Sequence, residues 1–260
     1  MQERHSNRAQ YFDELAISCE KYFLPYLNKF IPIRKGVRVL EIGCGDGGNL
    51  IPFAKQGCRV TGIDISEQRI MDARRFFEQH SLSAQLVAAD IFQVEQLDGK
   101  YDILLVHDVI EHISRKREFL SHIRRFLNPG GILFIGFPAW QMPFGGHQQI
   151  CHSKLLSHMP FMHLLPESLY GKLLRSLGEK DRCVNELIDI KRCGVTVESF
   201  EQLLEQTSYD VIERQLWLVN PHYEVKFGLT PRRLPRFLEE MPYLRNFISS
   251  SCFYILKCVN

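Results

Sequence analysis

Short apolar runs separated by stretches of helical periodicity fill most of the chain. The stretches between the runs place apolar side chains on one helical face, as in Glu67–Gln79, for which Ser66 is a suitable N-cap. Strands that alternate with helices predict βαβ units, and right-handed crossovers then give a doubly wound parallel sheet. The predicted strands are Val37–Ile42, Cys58–Asp64, Ala84–Asp90, Tyr101–Asp108, Gly131–Phe137, Tyr209–Val219 and Cys252–Cys258.

Two segments depart from this alternation. Residues 1–35 form a leader with an amphipathic helix over roughly Ala9–Phe30. Residues 139–194 show helical patterns but no strand, and a connection of that length is typical of a lid or a binding element. We therefore predict one domain over residues 1–260, with a helical insertion over the acceptor site after the fifth strand.

Composition narrows the class of protein. The 260 residues are 45% hydrophobic and carry a net charge of +2, an ordinary balance for a soluble globular protein and a poor one for nucleic-acid binding. The eight cysteines include no CxxC pair, so no metal site is predicted. The N-terminus lacks an apolar signal region, and no run is long enough to span a membrane, so we expect a cytoplasmic protein with free thiols.

Glycines are concentrated directly after the first predicted strand. Gly43, Gly45, Gly47 and Gly48 allow a tight turn and a close approach of the backbone to a ligand. The helix that follows offers free N–H groups to an anion. Because Gly43, Gly45 and Gly48 also fit the spacing GxGxxG, the loop alone leaves NAD as an alternative cofactor.

Three carboxylates stand at the ends of the first three strands. Glu41 precedes the glycine loop, where a carboxylate suits a ligand ammonium group or organises the loop. Asp64 ends the second strand and is placed to accept both ribose hydroxyls, as in NAD sites too. Asp90 ends the third strand and is placed either to accept an adenine amino group or to cap a helix.

Five segments in order resemble class I S-adenosylmethionine-dependent methyltransferases of the ubiquinone-biosynthesis branch. VLEIGCGDGGNL resembles their first motif, GIDIS their ribose-binding turn and AADIF their adenine-binding loop. HDVIEHI and LNPGGILFIGFP resemble the segments after their fourth strand and at their fifth. The resemblance covers about Val37 to Pro138. It implies S-adenosylmethionine as cofactor and a seven-stranded sheet whose last strand is antiparallel.

The same resemblance implies roles for particular residues. Gly43, Gly45 and Gly47, with Cys44 and Glu41 in the same segment, would face the amino-acid end of the cofactor. Asp64 would hold the ribose with Ile65 against the adenine, which Asp90 and Ile91 would also contact. The floor of the site would consist of His107, Asp108 and Val109. Tyr11 matches loosely the place where a leader helix crosses the cofactor.

Candidate acceptor residues lie beyond the fourth strand. His112 and His147 are the predicted catalytic bases, since a hydroxyl acceptor must lose its proton during attack. Packing and capping remain alternative roles for Glu111 and His112. Predicted substrate contacts are Trp140, His147, His152, His222 and Tyr223.

These residues predict methyl transfer to a small molecule, at oxygen, without a nucleic-acid partner. The alternatives are a nucleic-acid or protein methyltransferase, a non-catalytic S-adenosylmethionine-binding protein and, on GxGxxG alone, an NAD-dependent oxidoreductase. The sequence leaves the oligomeric state open.

Overall fold

A single sheet of eight strands organises the structure of the protein, a computed structural model that describes residues 7–259. The strand order is β3-β2-β1-β4-β5-β8-β6-β7. The strands are β1 (Arg38–Ile42), β2 (Arg59–Asp64), β3 (Gln85–Ala88), β4 (Tyr101–His107), β5 (Leu127–Phe137), β6 (Tyr209–Val219), β7 (Arg232–Arg233) and β8 (Ser251–Cys258).

Strand directions confirm the doubly wound fold. Strands β1 to β5 pair in parallel, and β8 runs antiparallel between β5 and β6. The order reverses between β1 and β4, so a crevice is expected at the carboxyl ends of these two strands.

The sequence predicted seven strands, whereas the sheet has eight. The additional strand, Arg232–Arg233, pairs with Trp217 and Val219 at the edge of β6. Two residues are too short to produce an alternating pattern, so the sequence carries no signal for this strand. Strand β5 also begins at Leu127 rather than Gly131, because Leu127 pairs with Tyr101 before an irregularity in the register.

Twelve α-helices lie among the described residues. They are α1 (Arg8–Ser18), α2 (Leu24–Leu27), α3 (Ile51–Lys55), α4 (Glu67–Gln79), α5 (Lys116–Ile123), α6 (Lys154–His158), α7 (Glu167–Ser176), α8 (Asp181–Cys193), α9 (Val197–Gln206), α10 (His222–Phe227), α11 (Arg236–Glu239) and α12 (Leu244–Ile248). Helices α4 and α9 have the predicted bounds, and Ser66 accepts a hydrogen bond from the Arg69 backbone N–H as the predicted N-cap.

The leader is helical, but it is not one regular helix. A π-helical turn, Cys19–Phe23, joins α1 to α2. Pro25 lies at the start of α2 and has no backbone N–H to donate to the preceding turn. The wider π-helical turn accommodates the missing hydrogen bond. Apolar periodicity along the sequence does not reveal this change.

Alternate side chains of the strands enter two separate cores. On one face, Val39 and its neighbours pack against the leader, α3 and α4. On the other face, Leu40 and its neighbours pack against α5 and α9. Each face of the sheet is thereby covered, which explains the continuous apolar runs of the parallel strands.

The segment after β5 has its own small core. Helices α6, α7 and α8 bury Leu156, Tyr170 and Leu187 against one another. No strand occurs between residues 138 and 194, all of which are described, in agreement with the sequence pattern. Over residues 7–259, no helix is both long and apolar enough to cross a bilayer.

Candidate functional site

The glycine loop after β1 is held tightly on three sides. Gly43 and Cys44 donate backbone hydrogen bonds to the Ile63 carbonyl, at 2.7 and 3.0 Å. Gly43, Gly45 and Gly47 all have positive φ, at 73°, 54° and 82°. A Cβ atom at Gly43 would lie 2.3 Å from the Val109 Cγ2 atom, so a larger residue does not fit there.

The leader lies directly over this loop. A Cβ atom at Gly48 would come within 2.6 Å of the Phe12 carbonyl oxygen and 2.8 Å of the Leu15 Cβ atom. Arg8 forms a salt bridge with the buried carboxylate of Asp46 in the loop. Glycine at position 48 therefore serves contact with α1 rather than turn formation alone.

Asp64 links the loop after β1 to the turn after β2. Its buried carboxylate accepts hydrogen bonds from the backbone N–H groups of Gly45 and Ser66, each at 2.8 Å. Each carboxylate oxygen has a second lone pair, so the group retains capacity for two ribose hydroxyls. The next side chain, Ile65, is 77% exposed and offers an apolar surface beside the carboxylate.

The end of β3 contributes a turn. The Asp90 carboxylate accepts a hydrogen bond from the Phe92 backbone N–H at 3.0 Å and caps the turn Ile91–Gln93. The Ile91 side chain is buried in the core. The capping role left open for Asp90 is therefore present, and contact of Asp90 and Ile91 with adenine stays a prediction.

Glu41 lies beneath the loop, not at the surface of the crevice. The residue is 1% exposed, and Asn49 donates a hydrogen bond to its Oε1 atom at 2.7 Å. The Oε2 atom has no hydrogen-bond partner among the described residues. Burial raises the pKa of Glu41 to about 8, so the carboxyl is mostly protonated at neutral pH. This geometry supports loop organisation, one of the two predicted roles.

A second arginine approaches the loop and was not singled out in the sequence. The position of a Cβ atom at Gly45 would be 3.3 Å from the Arg69 Nη1 atom. Arg69 lies in the first turn of α4, where the helix dipole disfavours a cation. That mismatch is the sequence signal that was available. Together, Arg8 and Arg69 place two guanidinium groups beside Gly45 and Asp46.

The end of β4 presents side chains to different surroundings. Val109 packs on Gly43, whereas Asp108 is exposed and has a positive φ of 53°. The His107 ring packs against Phe23 and Phe134, with ring centroids 4.8 and 6.3 Å apart. Of the three residues proposed for the floor, Val109 contacts the loop, and His107 lies under the leader.

The predicted acceptor residues His222 and Tyr223 meet the leader. The His222 Nδ1 atom is 2.8 Å from the Ser18 Oγ atom, and the His222 ring meets the edge of Tyr11. Burial raises the pKa of Tyr11 and of Tyr223 to about 12 each, and the negative charge of Asp108 adds to both shifts. Residues from both ends of the chain thus converge on the end of β4.

Three side chains form a polar group between β4 and the insertion, which we call the Glu111 group: Glu111, His112 and His147. The His147 Nε2 atom is 3.9 Å from the Glu111 Oε1 atom. The rings of His112 and His147 have centroids 4.9 Å apart. Burial lowers the pKa of His112, because protein replaces part of the water around its imidazole. The two predicted bases therefore lie together, although 35 positions separate them in the sequence.

Trp140 and His152 occupy different places in the insertion. The Trp140 ring meets His163 at a centroid distance of 4.7 Å and packs on Gly194. The His152 Nδ1 atom is 3.3 Å from the Glu179 Oε2 atom, beside Cys151 and Cys183. Trp140 contributes to the insertion's own packing, and His152 pairs with Glu179 at its surface. Contact of either residue with an acceptor stays a prediction.

Fold and site together define the class of this region. Residues 40–133 match the family described as a methyltransferase domain. That segment contains the glycine loop, Asp64 and Asp108, in the sheet order described above. The match agrees with the sequence resemblance to class I S-adenosylmethionine-dependent methyltransferases.

Individual relatives agree with this assignment. The chain is 32% identical over 100 residues to the ubiquinone biosynthesis O-methyltransferase of Agrobacterium fabrum, covering 38% of this chain and 40% of the relative. Identity to the enzyme of the same name from Caulobacter vibrioides is 36% over 102 residues, covering 39% and 40%. The matches thus span about two fifths of the curated relatives' length.

Solved structures extend the likeness to the whole fold. An S-adenosylmethionine-dependent methyltransferase from Clostridium acetobutylicum superposes with a TM-score of 0.60 at 11% identity, covering 98% of this chain and 99% of the other. The plantazolicin methyltransferase in complex with S-adenosylhomocysteine gives 0.53 at 16% identity, covering 99% and 87%. At such identities the likeness establishes the fold alone.

Proposed function

We propose that the protein transfers a methyl group from S-adenosylmethionine to an oxygen atom of a small-molecule acceptor. One observation carries this proposal. The glycine loop, Asp64 and Asp108 lie at the carboxyl ends of β1, β2 and β4, and the Glu111 group stands beside them. A cofactor crevice and a proton-accepting group are thereby adjacent.

The described residues fit this cofactor. Gly43 and Gly45 present backbone without side chains, Asp64 has free lone pairs for the ribose, and Ile65 offers an apolar face to the adenine. When bound, S-adenosylmethionine supplies an electrophilic methyl group on a positively charged sulfur. Because the leaving group is neutral, the protein contributes mainly alignment and exclusion of water.

Arg8 and Arg69 have a natural place in this arrangement. Their guanidinium groups flank Gly45 and Asp46. A carboxylate is the ligand group that guanidinium binds best, through paired hydrogen bonds. We infer that these arginines hold the carboxylate end of the cofactor, with the leader closing over it.

Oxygen as the methylated atom is supported by the Glu111 group. A hydroxyl must lose its proton as its oxygen attacks the methyl group, whereas a neutral amine attacks through a lone pair that it already has. His112 and His147 supply imidazoles next to a buried carboxylate. The curated relatives described above are O-methyltransferases by name. A small acceptor is further supported by the net charge of +2, which gives little attraction to a polyanion.

Ligand-induced stabilisation tests the cofactor. S-Adenosylhomocysteine should raise the melting temperature of the protein, and NADH should leave it unchanged. The opposite pattern would refute the proposal in favour of an oxidoreductase. Binding without methyl transfer to any hydroxyl, amine or carbon acceptor in a broad panel would instead indicate a non-catalytic binding protein.

The acceptor side is tested with His147→Ala. We expect kcat to fall by about 100-fold or more, as for loss of a general base, with the affinity for S-adenosylhomocysteine within about twofold of wild type. His158→Ala is a matched control, since His158 is exposed on α6 and bonds only within its own helix region. Equal losses of turnover and cofactor affinity in His147→Ala would show a structural role instead.

A further inference from the structure

Two buried cysteines and a buried glutamate meet inside the insertion. We call them the Cys151 cluster: Cys151, Glu179 and Cys183. One donor atom from each residue lies within 4.8 Å of the donor atoms of the other two. The Cys183 thiol is in hydrogen-bonding contact with both the Cys151 thiol and the Glu179 carboxylate. Three acidic side chains therefore share one small space away from water.

No permanently charged cation balances this group. The Glu179 side chain is 1% exposed, and no lysine or arginine among residues 7–259 forms a salt bridge with it. Its only basic neighbour there is His152, an imidazole that is charged only when protonated. Buried charges in proteins are normally paired or coordinate a metal ion. The cluster thus has the charge and the burial of a cation site.

Hydrogen bonds from neighbouring residues orient the Glu179 carboxylate. Its Oε1 atom accepts a hydrogen bond from the Ser153 backbone N–H at 2.8 Å, and its Oε2 atom lies 3.3 Å from the His152 Nδ1 atom. Carboxylates that ligate metal ions are themselves held by such outer hydrogen bonds. Each oxygen retains a second lone pair, so these contacts leave room for an ion.

The backbone fixes each of the three positions separately. Cys151 donates a backbone hydrogen bond to the Gln148 carbonyl at 3.0 Å, and Glu179 donates one to the Leu174 carbonyl at 3.1 Å. Cys183 lies in the first turn of α8. The donor atoms therefore come from the turn before α6, from the connection between α7 and α8, and from α8 itself.

The donor set selects the kind of ion. Thiolates are soft ligands that favour zinc and related transition metals, whereas Mg²⁺ and Ca²⁺ prefer oxygen ligands. Zinc binds cysteine sulfur at about 2.3 Å and carboxylate oxygen at about 2.0–2.2 Å in tetrahedral sites. Two atoms at these distances from one tetrahedral ion lie roughly 3.5 Å apart. Small side-chain movements reach that spacing from separations of at most 4.8 Å.

We propose that Cys151, Glu179 and Cys183 bind one Zn²⁺ ion, with water in the fourth position, and that this ion stabilises the fold of the insertion. On binding, the two thiols lose their protons to solvent. The proposal is independent of the proposed methyl transfer, because it uses none of the residues assigned to the cofactor or the acceptor. The sequence predicted no metal site, since 32 positions separate the two cysteines and no CxxC pair marks them.

A structural ion suits the small core of the insertion. Residues 139–194 are a segment shorter than the roughly 70 residues below which one apolar core supplies little stability, and a metal ion commonly compensates. Cys151 and Cys183 lie in the same core as Leu156 and Tyr170. An ion between the two cysteines would join the segment before α6 to the start of α8.

Titration with Co²⁺ tests the site directly, because Co²⁺ replaces Zn²⁺ in tetrahedral sites and absorbs in the near ultraviolet when a thiolate ligates it. The full chain is purified under reducing conditions and treated with a chelator beforehand. We expect thiolate-to-cobalt absorption that saturates at one ion per chain and disappears when one equivalent of Zn²⁺ is added. Ions held elsewhere by imidazole or carboxylate groups do not give this absorption.

Variants assign the ligands. Cys183→Ser should weaken Zn²⁺ affinity roughly 100-fold or more, since it removes one of three ligands. Cys193→Ser is the matched control, because Cys193 is buried at the end of the same helix but outside the cluster. It should leave the affinity within about twofold of wild type. His152→Ala removes only a partner of Glu179 and should cost about tenfold. Circular dichroism on every variant shows that it is folded.

Limited proteolysis tests the structural role. Chelator should speed cleavage within residues 139–194 of the wild-type protein, because opening of α6 to α8 is no longer opposed by the ion. Cys183→Ser should be cleaved at one rate with and without chelator. Cys193→Ser should respond to chelator as wild type does.

Three results would overturn the proposal. One is the absence of thiolate-to-cobalt absorption in folded, reduced wild-type protein. Another is absorption that survives Cys183→Ser but is lost in Cys193→Ser. The third is a Cys151–Cys183 disulfide in protein isolated without reductant, together with no ion bound after reduction, which would make the pair a redox site. If the ion binds and chelator leaves cleavage of the insertion unchanged, the structural role is wrong.

Discussion

The sheet-forming region from residue 37 to 137 and the helical insertion that follows it differ in their packing and in their match to a known family. In the first, the ends of β1, β2 and β4 carry the glycine loop, Asp64 and Asp108, and residues 40–133 match a known family. In the second, helices α6 to α8 close a small core of their own, outside that match. The difference teaches that the glycine loop and Asp64 lie in a segment with local sequence signals that matches a known family, whereas the insertion lies outside that match.

Buried carboxyls of the two regions should respond to pH in opposite directions. The pKa of Glu41 is raised to about 8 by burial. Its contribution to stability is therefore complete below the unfolded pKa and is lost as the pH rises toward 8. We expect wild type to lose about 1.4 kcal/mol per pH unit relative to Glu41→Gln between about pH 5 and pH 8. Denaturant unfolding at each pH measures this.

Glu179 in the insertion is the comparison for the pH series on Glu41. Burial alone would raise its pKa, but hydrogen bonds from Ser153 and His152 lower it overall. Its contribution should be present above the unfolded pKa and lost as the pH falls through the folded one. Profiles of the same sign for Glu179→Gln and Glu41→Gln would contradict the contrast between the two regions.

Gly43→Ala should strongly weaken cofactor binding with the fold retained. The new methyl group would meet Val109 at 2.3 Å, and the backbone has a positive φ of 73°. Clash and strain together predict a loss of about 3 kcal/mol in S-adenosylhomocysteine affinity, measured by calorimetry. Gly36→Ala is a control for strain away from the loop, since Gly36 precedes β1 and has a φ of 92° but nothing within 4 Å. It should leave the affinity unchanged, and equal losses from both variants would mean that the effect is not specific to the glycine loop.

Gly194→Ala should act on the insertion alone. A Cβ atom there would lie 2.4 Å from the Trp140 Cδ2 atom, so the insertion cannot pack as it does. We expect the free energy of unfolding to fall by about 2 kcal/mol, with S-adenosylhomocysteine affinity nearly unchanged. Adding Trp140→Leu should restore part of the stability. Loss of cofactor affinity comparable to that of Gly43→Ala would show that the two regions are not separable.

Asp64→Asn should have the smallest of these effects, about 1.5 kcal/mol in cofactor affinity. The amide retains one acceptor oxygen but places an NH₂ group against a backbone N–H of Gly45 or Ser66. Asp102→Asn is the control, because Asp102 also accepts a backbone hydrogen bond, from Arg38, but at the opposite end of the strands. It should reduce stability and leave affinity unchanged. Equal affinity losses in both calorimetric titrations would remove Asp64 from the cofactor site.

The sequence predicted the strands and turns of residues 37–137 well because their signals are local. A buried strand, a glycine turn and a terminal carboxylate such as Asp64 are each legible within a few residues. Helix α4 and its cap Ser66 were found at their observed positions for the same reason. The two-residue β7 and the π-helical turn were missed, since neither leaves a periodic pattern.

Contacts between distant parts of the chain were not predictable from the sequence. His112 and His147 were selected singly, but no local pattern indicates that the His147 Nε2 atom comes within 3.9 Å of the Glu111 Oε1 atom. That geometry depends on how the insertion returns to β4, which is decided by packing over long sequence distances. The same holds for His222, whose contact with Ser18 joins residues 204 positions apart.

The position of the leader against the glycine loop and α10 has a consequence for the order in which the chain folds. Helix α1 rests on residues 43–48, and Ser18, Lys21 and Tyr22 bond to side chains of α10. The leader can meet the glycine loop early, because only about 30 residues separate them, but its contacts with α10 close a loop of about 200 residues. Contacts over such sequence separations form late and slow folding.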